Sequence, residues 1–150
     1  MEESIEQKKR RLFGKQYLVE YLAIIKKITK YKNEDDIKII SIPKTDIVIN
    51  KDVLLEKNAV FRIPFNNKTE LKHIVVDMCK KNEPVYLYTD LSKDCGLVFL
   101  NSIDEFNFEF NFDDEPKGLI IFIGFESNYK ILLDFYEEDG VEYIEIESYQ

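Results

Sequence analysis

The order of hydrophobic periods along this chain predicts an α+β fold: a long N-terminal helix and one further helix packed on a mainly antiparallel sheet of about six strands. Three observations carry that expectation. The first thirty residues place their apolar side chains at helical spacing, a shorter helical pattern recurs at 69–82, and from Pro84 onward the pattern is almost purely that of strands divided by turn residues. With 150 residues and no Pro/Gly-rich stretch, the whole chain is expected to form one domain, 1–150.

The long helix is read over 4–31, where Tyr17, Tyr21, Ile24 and Ile28, joined by Leu18, Leu22 and Ile25, recur every three or four residues. Gly14 weakens its middle by about 1 kcal/mol relative to alanine and marks a place for fraying or a bend. The basic run Lys8, Lys9, Arg10 and Arg11 reads as a solvated helix face. IKIISI at 37–42 reads as a strand stopped by Pro43, and DIVI at 46–49 and AVFRIPF at 59–65 continue in extended form. Asn67 or Thr69 caps the second helix, whose apolar face is Leu71, Ile74, Val75 and Met78, with Lys80 and Lys81 at its C-terminal end.

The β-rich part opens with PVYLYTD at 84–90 and GLVFL at 96–100, separated by the polar loop DLSKDC. FNFEFNF at 106–112 alternates without a break and reads as a strand with Phe106, Phe108, Phe110 and Phe112 on its buried face; Ser102, three residues before Glu105, offers a competing short helix start. DDEPKG at 113–118 is a turn, GLIIFIGF at 118–125 a central strand, and YKILLDFY at 129–136 its neighbour. The Asp139-Gly140 pair turns the chain into a last strand at 141–149.

Charge is distributed unevenly. Residues 1–83 carry 18 Lys and Arg against 13 acids, whereas residues 84–150 carry 3 Lys against 16 acids, so the net −8 conceals a β half of −13. A half so short of cations projects a negative field and disfavours phosphates, which argues against nucleic acid as a partner. Phe and Tyr interleave there with Asp, Glu and Asn, the inverse of a single-strand binding surface. Lys15, Gln16, Glu20, Lys26 and Lys27 interrupt the apolar positions of the N-terminal segment, which excludes a signal peptide or membrane span from that stretch.

Chemistry finds little footing. His73 is the single histidine, and Cys79 and Cys95 have neither C-x-x-C spacing nor a second pair, so they read as free thiols of a reducing compartment. A nucleophilic pair of Cys95 with His73 would require tertiary contact, and paired carboxylates such as Asp90 and Asp134 are common in any acidic β protein. The consecutive acids at 113–115 and 137–139 lack the alternate spacing of a calcium loop, and no glycine-rich phosphate loop joins a strand to a helix. No enzyme, cofactor or metal is therefore expected.

What remains is a binding protein whose partner is basic. Asp113, Asp114 and Glu115 at one turn, and Glu137, Glu138 and Asp139 at another, are expected to reach outward, with Tyr136 and Tyr143 as aromatic anchors. The acidic sheet half at 84–150, closing in the hairpin ILLDFYEEDGVEYIEIESY behind an N-terminal helix, resembles the immunity proteins that bacteria carry beside polymorphic or contact-dependent toxins. That resemblance implies a cytoplasmic, non-catalytic protein that occupies the active site or groove of a basic toxin domain, such as a nuclease. The alternatives are an adaptor assembling through its Tyr-rich sheet or first helix, and an anti-defence protein whose acids imitate DNA.

Overall fold

The computed structural model of the protein describes residues 2–51, 54–80 and 82–150. Among them, five α-helices accompany a seven-stranded sheet in which every pairing is antiparallel. The strands are β1 (Lys38–Ile39), β2 (Lys57–Pro64), β3 (Val85–Tyr88), β4 (Val98–Leu100), β5 (Leu119–Gly124), β6 (Lys130–Glu138) and β7 (Val141–Tyr149), in the spatial order β1-β4-β3-β5-β6-β7-β2. The fold is thus the α+β class that the sequence predicts, with one strand more than expected.

The N-terminal helix runs as α1 (Ile5–Gly14) and α2 (Leu18–Ile28) with one tighter turn between them. Ser4 and Gln7 form a reciprocal capping box: the Gln7 amide donates to Ser4 Oγ and the Ser4 amide to Gln7 Oε1. In α2, Tyr21, Ile24, Ile25 and Ile28 form the buried face. The Tyr21 hydroxyl donates to the Gly96 carbonyl at 2.6 Å and lies 2.8 Å from Ser92 Oγ, tying α2 to the short helix α5 (Ser92–Cys95), which replaces the expected loop.

Gly14 serves contact rather than fraying. A Cβ at this position would run into the Asp94 carbonyl oxygen, so the missing side chain is what lets α1 approach α5. In a free helix Gly→Ala stabilises by about 1 kcal/mol, but overpacking against backbone costs about 1–3 kcal/mol. Gly14→Ala is therefore expected to lower the urea midpoint, and a raised midpoint would show that the helices separate without cost.

The basic run is only half solvated. Lys8 and Lys9 are exposed, whereas Arg10 grips Asp46 through two nitrogens at 2.7 and 3.1 Å and Arg11 pairs with Glu3 at 2.8 Å. Asp46 belongs to α3 (Ile42–Lys51), which corrects the strand reading at Ile42 and the extended reading of 46–49. The Lys44 amide donates to Ser41 Oγ, and Pro43 falls in the first turn, where a missing N–H costs no helical bond. The proline that was to stop a strand begins a helix, and only Lys38–Ile39 of the expected strand pairs with β4.

A second correction concerns 106–112, which forms turns instead of a strand. The asparagines supply the reason. Asn107 Oδ1 accepts from the Glu109 amide, the Asn107 carbonyl accepts from the Phe110 amide, and the Asn111 amide donates to Asp114 Oδ2. The alternation of burial survives, with Phe106, Phe108 and Phe110 buried and Phe112 half-buried. Phe106 lies 4.8 Å from Phe122 and 5.0 Å from Phe108, and Phe110 5.4 Å from Phe135, between ring centroids. Ser102 caps a single tight turn at Ile103–Glu105.

Helix α4 (Lys68–Met78) is capped by Asn67, whose side chain accepts from the Glu70 amide. It ends before Lys80; Lys81 lies outside the described residues. With α2 and the phenylalanine turns it covers one sheet face, burying Val85, Leu87, Val98, Leu100, Ile120, Phe122, Ile131, Leu133, Phe135, Ile144 and Ile146.

Candidate partner-binding face

Because side chains alternate across a strand, the opposite sheet face follows from the register. At its β4-β3-β5 end, α3 covers it: Val48 packs with Tyr86, Leu97 and Ile123, and Ile49, Tyr88, Phe99 and Ile121 close around them. No helix of the described residues lies over the β6-β7-β2 end, which presents rows of side chains set by the pairing. Tyr136, Tyr143 and Pro64 form one row, Asp134, Glu145 and Arg62 the next, then Leu132, Glu147 and Val60.

Like charges meet at the centre of this face. Asp134 stands directly opposite Glu145, a like-charge cross-strand pair that works against the sheet. Partial burial, and after it the charges of Glu145 and Glu147, push the Asp134 carboxyl above its ordinary range. The cations sit toward the rim: Lys57 Nζ is 2.6 Å from Glu147, and Arg62 reaches Glu138 at 3.2 Å while lying 3.8 Å over the Tyr143 ring. The Tyr136 hydroxyl donates to Glu145 at 3.0 Å, and its ring lies 6.3 Å from that of Tyr143. Of the hairpin's seven acids, Asp134, Glu138, Glu145 and Glu147 belong to this face, beside Lys130 at the start of β6 and Lys57 and Arg62 of β2.

Of the residues expected to contact a partner, Tyr136, Glu138 and Tyr143 belong to this face. Glu137 pairs with Glu142 on the other side of the hairpin, and Asp139 occupies the turn with Gly140, both at positive φ in a two-residue loop. The 113–115 cluster does not reach outward as a unit. Asp113 is exposed, but Asp114 is engaged by the Asn111 amide, and Glu115, only 2% exposed, turns inward to accept from the Leu119 amide at 3.0 Å. Burial pushes the Glu115 carboxyl up. Its role is to cap the entry to β5, which corrects its assignment to an interface.

Sequence reasoning missed Asp134, Glu145 and Glu147 as members of one face. The signal was present: the tight turn at 139–140 sets Glu138 opposite Val141, and counting back from it places Asp134 opposite Glu145. Lys68 was also missed. Its ammonium donates to the Phe110 carbonyl at 2.6 Å and lies 3.5 Å from the centre of the Phe65 ring, and burial lowers its pKa to about 8. It fastens the phenylalanine turns to the start of α4.

The residues considered for chemistry are dispersed. The Cys95 thiol donates to the Gly14 carbonyl, while His73 sits 3.4 Å from Asp77 on α4. Burial raises both thiols to about 11, which keeps them protonated near neutral pH. Asp90 lies past the end of β3 in a cavity of about 230 Å³ that Glu115 also lines, whereas Asp134 is in mid-β6, with β5 between β3 and β6. Among the described residues, no group of three or more His, Cys, Asp or Glu is placed to hold a metal ion, and no helix is long and apolar enough to cross a membrane. Comparison with known proteins found no protein-family model, no curated protein and no solved structure that matches this chain.

Proposed function

We infer that the open β6-β7-β2 face docks a basic protein, and that the chain is an immunity protein which neutralises a bacterial toxin domain in the cytoplasm by covering its active site or groove, doing no chemistry itself. The observation that carries this reading is the Asp134–Glu145 opposition with Glu147 beside it, on the part of the sheet that no helix of the described residues covers. Such a pair costs stability in the free protein, and a lysine or arginine brought by a partner removes the repulsion. Tyr136 and Tyr143 flank the acids with rings able to pack against that partner. A standard interface takes roughly 800 Å² from each partner, about a tenth of this protein's 8463 Å² surface.

The test is affinity capture from the lysate of the source cells with the protein and, in parallel, with its Asp134→Lys variant. One basic protein should be retained at low salt, released at high salt, and absent from the variant column. Growth of cells expressing that captured protein should then depend on this chain. Equal retention by the variant would move the interface elsewhere, and a captured protein that harms no cell would sink the immunity reading.

A further inference from the structure

We propose that the free edge of β2 pairs with the same edge of a second copy of this chain, so that two sheets run on as one across a two-fold axis. The two edges of the sheet differ. β1 offers two residues, whereas β2 offers eight. The Phe65 amide donates to the Glu142 carbonyl, toward β7; alternation then turns the backbone groups of Ile63 and Phe61 the same way and those of Val60 and Arg62 outward, paired with no strand among the described residues.

These outward groups match themselves. In an antiparallel pairing centred on Phe61, Val60 faces Arg62 of the second copy and exchanges both backbone bonds with it, and the relation repeats across the axis. Pro64, which has no N–H to give, falls opposite the irregular stretch between Lys57 and Ala59, where regular pairing has already ended. The side chains agree with the backbone. Phe61 points to the helical side of the sheet yet is 41% exposed, lining a groove of about 500 Å³ with Ile74 and Met78 of α4; Val60, on the other side, is 47% exposed. Two-fold pairing sets the two Phe61 rings side by side over their grooves.

Charge selects the occupant. Copies of a chain with net charge −8 repel, but β2 contains two cations and no acid, and Lys57 and Arg62 are already met by Glu147 and Glu138. The edge strand itself therefore adds no net charge to the approach of two copies, although Glu70 and Asp77 of α4 line the groove beside Phe61. The axis stands perpendicular to the sheet, so both β6-β7-β2 faces lie on the same side, and the pair presents them together.

The experiment is sedimentation and light scattering of the full chain over a dilution series, with amide exchange read at both ends. The expected result is a mass that doubles with concentration, with the Val60 and Arg62 amides protected only in the concentrated sample. Val60→Pro removes an outward N–H and spares the pairing with β7, so it should give a monomer with unchanged circular dichroism. If that variant unfolds, Phe61→Lys decides by the same readout. A monomer at every concentration, or a dimer that persists in a folded variant, overturns the proposal. Asp134→Lys should dimerise like the parent, which separates this inference from the reading of the acidic face.

Discussion

Replacing Phe106 by alanine is expected to cost about 3–5 kcal/mol, a large part of the roughly 5–15 kcal/mol that holds a domain of this kind folded. Phe106 is fully buried, and it sits where three parts of the core meet: its ring packs on Phe108 and Phe110 of its own segment and on Phe122 of the central strand, while its backbone forms a bridge to Thr29 at the end of α2. The surrounding segment is held by asparagine side chains instead of a strand ladder, so little regular structure remains to close around the cavity. The check is the urea midpoint of Phe106→Ala set beside that of Phe125→Ala, a ring 48% exposed. Equal, small losses would mean that the 106–112 segment is not part of the cooperative core.

The second large effect joins two measurements on one substitution. Asp134→Lys turns the cross-strand repulsion with Glu145 into attraction, so the free protein should gain about 0.2–1 kcal/mol. Partner binding should weaken by about 2 kcal/mol or more, roughly thirtyfold, because a cation then faces the partner's cation. A substitution that damaged the fold would lower both quantities, so the opposite signs identify a binding face. Acid gives a related sign. The folded-state pKa of Asp134 is raised, so the folded protein binds the proton more tightly than the unfolded chain. This group therefore detracts from stability above its folded pKa, and the loss is relieved as pH falls through that value toward the unfolded one. Asp134→Lys should remove that part of the pH dependence.

The candidate face was partly legible because alternation in VEYIEIESY and the Asp139-Gly140 turn are local features. Together they place Tyr143, Glu145 and Glu147 on one side and bring Asp134 opposite Glu145. Nothing local told that α3 would cover the other end of the same side, since α3 itself was read as extended. Glu115 shows the converse. Three consecutive acids at a turn suggest solvent, yet the start of β5 offered the middle strand of the sheet an amide to satisfy, and that carboxylate turned in to take it.

Period and turn chemistry in the sequence by themselves determined the class of the fold, the α2 face from Tyr21 on, the second helix, the closing hairpin and the negative charge of the β half, because each depends on residues within a few positions of one another, while the expected face residue Leu18 is 38% exposed. Tertiary structure alone decided the remainder. The run at 106–112 had the alternation of a strand but found asparagine acceptors and neighbouring rings in place of a strand to pair with, and the segment 42–48, capped by Ser41, found Arg10 of α1 for its Asp46 and the back of the sheet for its Val48. Alternation states which side chains want burial. Whether the backbone reaches it as strand, turn or helix depends on which partners the rest of the chain brings to its N–H and C=O groups.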